Sequence, residues 1–243
     1  MKEMWFEPGH VAIVTGGSQG LGKALARGLL QRGITVIIDG RRRVELNAAA
    51  GELRPLGELV AIPGDVADAS HIHALVECAS ERFGRLDLVV NNASTLGETP
   101  LRTVRRLSPD ELQRVFAVNL FAPVHLMYHA LPLLERSGGP ATIVNITSDA
   151  GVEAYPTWGA YGASKAALEH ISGVFAAELG DSNVRVLVVD PGDMNTEMHR
   201  AAVPDADAAL LRNPAEVAEA LLHIIADLQT PYARVALELP QPV

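Results

Sequence analysis

A glycine-rich segment, set between the first apolar run and the first helical pattern, constrains the fold of this chain more than any other feature. The apolar run covers residues 11–15, the segment places glycines at 16, 20 and 22, and a helical pattern covers residues 21–31. Glycine tolerates positive φ and lets backbone amides approach a ligand, while the first turn of a helix carries unpaired N–H groups and partial positive charge. This order predicts a strand, a phosphate-binding turn and a helix.

Short apolar runs alternate with longer helical patterns along the rest of the chain. Strands are predicted at residues 11–15, 34–38, 59–62, 86–90, 141–147, 184–189 and 234–239, and helices at 21–31, 44–53, 70–83, 109–136, 161–179 and 215–228. Most strand runs are apolar throughout, which is typical of parallel strands buried on both faces. The pattern predicts one α/β domain over residues 1–243, with a doubly wound, mostly parallel sheet of seven strands and helices on both faces.

Charge and cysteine content narrow the classes of partner. The formal net charge is −9, from 29 acidic and 20 basic residues, so the summed field would repel nucleic-acid phosphates and anionic membrane surfaces. The single cysteine, Cys78, cannot form an intrachain disulfide, and residues 1–9 hold no apolar run of membrane-spanning length. We expect a cytoplasmic protein that binds a small molecule, with no nucleic-acid or membrane partner.

Four polar side chains suggest proton transfer. Tyr161 and Lys165 stand at i and i+4 and share a helix face. A phenol titrates at about 10, and a neighbouring ammonium would lower that pKa. Ser148, at a predicted strand end, could stabilise charge on a substrate oxygen, and Asn119 is polar within an apolar helical segment. Structural alternatives are a solvated helix pair, a strand-end cap and a buried asparagine bonded to backbone.

These motifs, in this order, resemble the common form of the short-chain dehydrogenase/reductase family. Thr15 opens the family's T-G-x-x-x-G-x-G segment, and Tyr161 opens its Y-x-x-x-K. The resemblance implies a Rossmann-like NAD(P)-dependent oxidoreductase that interconverts a carbonyl and a secondary alcohol by hydride transfer, with reduction favoured. It also implies that Tyr161 is the general acid–base, Ser148 holds the substrate oxygen, Lys165 binds the cofactor ribose and lowers the pKa of the tyrosine, and Asn119 holds a water against the lysine.

The same resemblance implies a cofactor site assembled from several loops. Its expected members are Gly16, Ser18, Gln19, Gly20, Leu21, Gly22, Arg41, Arg42, Asp65, Val66, Asn92, Ala93, Tyr161, Lys165, Pro191, Gly192 and Thr196. Ser94 replaces the glycine that the family usually has after N-N-A, a change expected to affect backbone freedom more than chemistry. The C-terminal residues 232–243 lack the family's frequent V-D-G-G ending.

Cofactor choice is expected at the end of the second strand, where a carboxylate binds a ribose 2'-hydroxyl or an arginine binds a 2'-phosphate. The stretch reads Ile-Asp-Gly-Arg-Arg-Arg over residues 38–43. Set against the family's pattern, Gly40 occupies the acidic position of NAD-preferring members and Arg41 a basic position of NADP-preferring members, which favours NADP(H). Asp39 is one place early, and a shift of one residue would turn it toward the ribose, so NAD(H) stays an open alternative.

Residues 193–213 interrupt the alternation of strands and helices and are expected to form a substrate lid, with a merely long surface loop as the alternative. The helices that begin near Pro109 and Tyr161 mediate dimer and tetramer contacts in many members of the family. The resemblance therefore implies a homo-oligomer, either a dimer or a tetramer.

Several other functions fit the sequence less well. His125 and His129 lack the glutamate of an H-E-x-x-H zinc site, so no metal is expected, and His71 and His73 are expected at the surface. Ser18 lies in a G-x-S-x-G sequence, but after the first strand, where a hydrolase elbow does not belong. A non-catalytic nucleotide sensor would not need the Ser-Tyr-Lys set, and epimerases or dehydratases with Y-x-x-x-K differ in glycine spacing.

Overall fold

Seven parallel strands form one sheet in the computed structural model, which describes residues 6–237. The strands are β1 (Val11–Val14), β2 (Thr35–Gly40), β3 (Leu59–Pro63), β4 (Leu88–Asn91), β5 (Ala141–Ile146), β6 (Val184–Asp190) and β7 (Tyr232–Ala236). Their order across the sheet is β3-β2-β1-β4-β5-β6-β7, and all six pairings are parallel. The predicted doubly wound α/β fold is confirmed.

Helices cover both faces of the sheet. They are α1 (Gly20–Gln31), α2 (Arg43–Leu53), α3 (Ala69–Phe83), α4 (Pro109–Phe116), α5 (Ala122–Leu134), α6 (Gly159–Leu179), α7 (Glu197–Ala202) and α8 (Pro214–Asp227). One apolar core joins α1, α2 and α8 to the sheet through side chains such as Leu25 and Leu221, and a second joins α3 and α5 through Leu75 and Leu126. Burial on both faces explains why the strand sequences are continuously apolar.

Most element boundaries lie within a residue or two of the prediction, but the long helix predicted over residues 109–136 is divided. A π-helical turn, Ala117–Phe121, connects α4 to α5. Such a turn inserts an extra residue into the helix and shifts the side chains that follow it. The last strand begins at Tyr232 rather than at residue 234, and residues 238 and 239 of its prediction lie outside the described part of the chain.

The continuous helix Pro109–Leu134 is long and apolar enough to span a membrane by length and composition. Its mean hydropathy reaches 1.3 over an 18-residue window, and 50% of that window is buried inside the protein. Leu126 and Met127 pack against the sheet residue Ile143 and against α3 in the second core. This packing is that of a core helix in an α/β protein.

Asp87, one residue before β4, ties the start of β1 to the sheet. One of its carboxyl oxygens accepts from the backbone N–H of Val11 at 2.8 Å, and both accept from the Arg85 guanidinium, at 3.0 and 2.6 Å. Asp87 is 1% exposed, so loss of its oxygens would leave a buried N–H without an acceptor.

We therefore expect Asp87→Ala to lower the free energy of unfolding by about 2 kcal/mol, because an unpaired buried donor keeps its full desolvation cost. Urea denaturation followed by circular dichroism measures the change. Glu81→Ala, at an exposed position of α3, is the control and should change stability by less than about 0.5 kcal/mol. Equal stability of the two variants would contradict this role of Asp87.

Candidate active site

A cavity of about 1390 Å³ opens at the carboxyl edge of the sheet, on both sides of the point where the strand order reverses between β1 and β4. The loops after β1, β2, β4, β5 and β6 line it, together with the first turns of α6. Ligands of open α/β sheets bind at this position. The volume exceeds the roughly 300–1,000 Å³ of sites for drug-sized ligands, so a dinucleotide and a small substrate fit together.

The glycine-rich turn between β1 and α1 forms a backbone cradle at one end of this cavity. Gly16 and Gly20 adopt positive φ, at 67° and 53°. A Cβ at position 17 would lie 2.6 Å from the Ile38 side chain, and a Cβ at Gly22 would collide with the carbonyl oxygen of Gly16. Gln19 at the N-cap of α1 makes no side-chain capping bond. The cradle therefore fits the pyrophosphate of a dinucleotide, which backbone N–H groups at a helix N-terminus bind.

Thr15 fastens this cradle to the loop after β4. Its Oγ1 accepts from the backbone N–H groups of Asn92 and Ala93, each at 3.0 Å, and Asn92 Nδ2 donates to the Thr15 carbonyl oxygen at 2.8 Å. The bonds cross the point where the strand order reverses, so they hold the two loops at a fixed separation.

Ser148, Tyr161 and Lys165 come together on the cavity wall. Ser148 follows β5, whereas Tyr161 and Lys165 lie on successive turns of α6. Lys165 Nζ donates to the Ile146 carbonyl oxygen at 2.8 Å and lies 5.5 Å from the centre of the Tyr161 ring. Ser148 is close enough to the Tyr161 hydroxyl to lower the pKa of that phenol. The three side chains thus lie on one wall of the cavity, where bound ligands can meet them.

Burial dominates the electrostatics of this group. It raises the pKa of Tyr161 to about 12, against the lowering effect of hydrogen bonds with Ser148 and Ser94. It also lowers the pKa of Lys165 to about 8. The net shift of the tyrosine pKa is upward, opposite in direction to the lowering that the sequence predicted from Lys165, because desolvation outweighs the favourable neighbours.

Asn119 lies in the π-helical turn and is 1% exposed. Its Nδ2 donates to the Thr95 carbonyl oxygen at 2.9 Å and to Ser164 Oγ at 3.0 Å, and its Oδ1 accepts from the Thr95 N–H at 2.8 Å. Its side chain does not line the cavity. It connects the loop after β4 to α6, which is the buried, bonded arrangement that the sequence left as the alternative to a water-holding role.

Ser94 is a site residue whose role sequence reasoning missed. Its Oγ donates to Asn119 Oδ1 at 3.1 Å, and the residue lines the cavity and lowers the pKa of Tyr161. The sequence predicted that this replacement for glycine affects backbone freedom more than chemistry, whereas the added hydroxyl bonds Asn119 and lowers the pKa of Tyr161.

Asp149 was also missed, and it orients Ser148. Ser148 Oγ donates to Asp149 Oδ1 at 2.9 Å, and the Tyr155 hydroxyl donates to Oδ2 at 2.9 Å. Tyr155 is turned to this carboxyl group and does not line the cavity, whereas Trp158 does and packs edge-on against the Tyr161 ring at 5.6 Å. Leu96 and Met198 complete an apolar wall beside the phenol.

Most of the predicted cofactor residues line the cavity: Gly16, Ser18, Gln19, Gly20, Leu21, Arg41, Arg42, Val66, Asn92, Ala93, Tyr161, Lys165, Pro191, Gly192 and Thr196. Two do not. Gly22 lies beneath Gly16, where it permits close packing, and Asp65 accepts from the N–H of Ala67 at 3.0 Å within its own turn.

The end of β2 places two arginines at the cavity, whereas its acid, Asp39, is buried and bonded to other residues. Arg41 is exposed and forms no ion pair with the other residues of the range 6–237, whereas Arg42 contacts Gln19 and Glu197. Asp39 is 1% exposed and hydrogen-bonds His71, which is 7% exposed. The prediction that His71 lies at the surface was wrong, because the adjacent Gly64 leaves room for its ring.

Residues 193–213 border the cavity mouth. The segment contains α7, capped by Thr196, and its two ends meet in a parallel bridge between Met194 and Arg212. Residues 193–202 line the cavity, and Glu197 contacts Arg42 across it. Within residues 6–237, no three His, Cys, Asp or Glu side chains come together as a metal site.

Comparison with known proteins agrees with this geometry. Residues 10–207 match the family described as short chain dehydrogenase. A 3-oxoacyl-[acyl-carrier-protein] reductase of rhamnolipid biosynthesis from Pseudomonas aeruginosa is 34% identical over 204 residues, which cover 82% of this chain and 78% of that protein.

Two solved structures are similar over nearly the whole chain. The RhlG/NADP active-site complex from Pseudomonas aeruginosa has a TM-score of 0.85 at 29% identity, with 98% of both chains covered. An alcohol dehydrogenase from the archaeon Thermococcus sibiricus, in complex with 5-hydroxy-NADP, has a TM-score of 0.83 at 27% identity and covers 96% of this chain and 97% of its own. The chain belongs to the short-chain dehydrogenase family and is an oxidoreductase.

Proposed function

We propose that the protein is an NADP(H)-dependent oxidoreductase that interconverts a carbonyl and a secondary alcohol, with Tyr161 as general acid–base. The observation that carries the proposal is the meeting of Ser148, Tyr161 and Lys165 in the cavity that begins at the glycine cradle. When bound, the nicotinamide cofactor supplies or accepts the hydride at the substrate carbon.

Residues of the chain would bind the cofactor, exchange the proton and hold the substrate oxygen. The amides after Gly16 would hold the pyrophosphate, and Lys165 lies where it can bind a ribose while its Nζ stays fixed on the Ile146 carbonyl oxygen. Tyr161 would exchange the proton with the substrate oxygen, and Ser148 would hold that oxygen. Asn119 would position this machinery by fixing the loop after β4 to α6.

The raised pKa of Tyr161, about 12, favours the direction of carbonyl reduction. A phenol with that pKa carries its proton at neutral pH, so it is ready to donate it to an oxygen that gains negative charge. In the oxidative direction the same phenol must first lose its proton, which burial opposes.

NADP(H) is favoured by the charge at the end of β2. Arg41 is unpaired within the described chain and borders the cavity, as a partner for a 2'-phosphate would. Asp39, the acid that could favour NAD(H), is bonded elsewhere. The two related structures named above are complexes with NADP or 5-hydroxy-NADP, which supports the same assignment.

The substrate would enter beside Leu96, Trp158 and Met198 and be covered by residues 193–213 acting as a lid.

We also propose a homo-oligomer, because α5 leaves Tyr128 70% exposed and the adjoining π-helical turn leaves Phe121 52% exposed. Both proposals are compatible with the cytoplasmic protein and the small-molecule substrate that the sequence predicts.

Tyr161→Phe should lower kcat for NADPH-dependent ketone reduction by at least about 100-fold, because it removes the transferred proton and keeps the ring. Affinity for NADPH, measured by nucleotide fluorescence, should change little. Tyr232→Phe, at a tyrosine of β7 that does not line the cavity, is the matched control and should keep wild-type turnover. Wild-type turnover by Tyr161→Phe would refute the assignment, and NADPH binding without consumption of any carbonyl by the wild type would favour a nucleotide sensor.

Arg41→Ala should raise the KM for NADPH by about tenfold and leave the KM for NADH nearly unchanged, because only NADPH carries the 2'-phosphate. Steady-state kinetics with each cofactor measures both values. Arg43→Ala is the matched control, since Arg43 lies outside the cavity lining. A wild-type enzyme that prefers NADH would overturn the NADP(H) assignment.

The pH dependence of kcat/KM for NADPH should follow Lys165. Burial lowers its pKa to about 8, so the ammonium is present below that pH and lost above it. We expect kcat/KM to fall as the pH rises through about 8, whereas Tyr161, with a pKa of about 12, adds no change there. Since kcat/KM reports groups of the free enzyme, rates between about pH 6.5 and about pH 10 test this, and a flat profile would contradict it.

A further inference from the structure

A buried pair, Asp39 and His71, lies beneath the adenosine end of the cavity. Asp39 Oδ1 accepts from the Gly16 N–H at 2.6 Å, and its Oδ2 lies 3.0 Å from His71 Nε2. An ionised carboxylate only accepts, so Nε2 is the donor. The backbone carbonyl oxygen of Asp39 also accepts from the Gly17 N–H at 3.0 Å. Each carboxyl oxygen therefore has a defined partner: Oδ1 is bonded to the glycine cradle, and Oδ2 is bonded to His71, which does not line the cavity.

Gly64 leaves the space that the His71 ring needs for its contact with Asp39. His71 lies in the first turn of α3, and a Cβ at position 64 would overlap its Nδ1. Only glycine at that position, directly after β3, lets the ring reach across to β2. His73, two residues further along α3, is exposed and stacks edge-on with His129 instead.

We infer that His71 is a specificity-determining residue that enforces NADP(H) preference by holding the Asp39 carboxylate away from the cofactor ribose. The inference rests on the proposed NADP(H) dependence. Asp39 borders the cavity at the strand end where a carboxylate binds a ribose 2'-hydroxyl. With His71 present, the Asp39 carboxylate stays bonded to the Gly16 N–H of the glycine cradle, and Arg41 can bind a 2'-phosphate.

Loss of the His71 donor would change this balance. Asp39 is 1% exposed, and a buried carboxylate oxygen without a donor is costly. The nearest remedy is a turn toward the cavity, where a ribose 2'-hydroxyl can donate to it and where its charge would repel a 2'-phosphate. Both effects favour NADH over NADPH.

The test is the ratio of Kd for NADH to Kd for NADPH, measured by fluorescence of the bound reduced nucleotide, which requires no turnover. His71→Leu should lower this ratio by at least about tenfold, through tighter NADH binding and weaker NADPH binding. His71→Gln keeps an N–H donor at a similar reach and should retain the wild-type ratio. His73→Leu is the matched control on the same helix and should also retain it.

The double variant Asp39→Asn/His71→Leu should recover the NADPH preference, because no carboxylate remains to be released. Equal weakening of both nucleotides by His71→Leu, or a double variant as shifted as the single one, would overturn the inference while leaving the proposed function intact. Failure of the wild type to bind either nucleotide would overturn both.

Asp39→Asn alone keeps the test decisive if His71→Leu does not fold, as judged by circular dichroism. Its Oδ1 still accepts from the Gly16 N–H, and we expect its NADH affinity to equal that of the wild type. A selective loss of NADH affinity would show that Asp39 already contacts the ribose, and would overturn the inference.

Discussion

Removal of charged and polar groups from water is the constraint on which the catalytic end of this molecule depends. Lys165 is 2% exposed and holds its position through the carbonyl oxygen of Ile146, a backbone group of a central strand. Burial moves the pKa values of Tyr161 and Lys165 apart, to about 12 and about 8, since it disfavours the charged form of each. The rigid parallel sheet thus supplies both the position and the low polarity of this tyrosine–lysine pair.

Features that depend on spacing within one turn or one helix could be predicted from the sequence. The glycine cradle is a local turn, and Tyr161 and Lys165 share a face of α6 by helix geometry alone. The continuous apolar runs likewise predicted a parallel sheet, because burial on both faces requires them. The family resemblance added Ser148, which lies on another element.

The remaining site residues depend on contacts between elements distant in sequence. Ser94 bonds Asn119, which lies 25 residues later, and His71 bonds Asp39, which lies 32 residues earlier. The inward position of Asn119 requires the π-helical turn, which no local sequence pattern indicated. The direction of the tyrosine pKa shift could not be predicted either, because the helical spacing indicates that a cation is near but does not indicate the cost of desolvation.

The bridge between Met194 and Arg212 has an evolutionary consequence. The Asn195 N–H donates to the Arg212 carbonyl oxygen at 2.9 Å and the Arg212 N–H to the Asp193 carbonyl oxygen at 3.1 Å, so the two ends of the segment are held together by the backbone itself. Doubling the length of a loop whose ends are already joined costs only about 0.6 kcal/mol in closure entropy. Insertions between these ends can therefore reshape the cavity mouth while the cavity wall that carries Ser148, Tyr161 and Lys165 stays unaltered, so the range of ligands can change by exchange of this one segment.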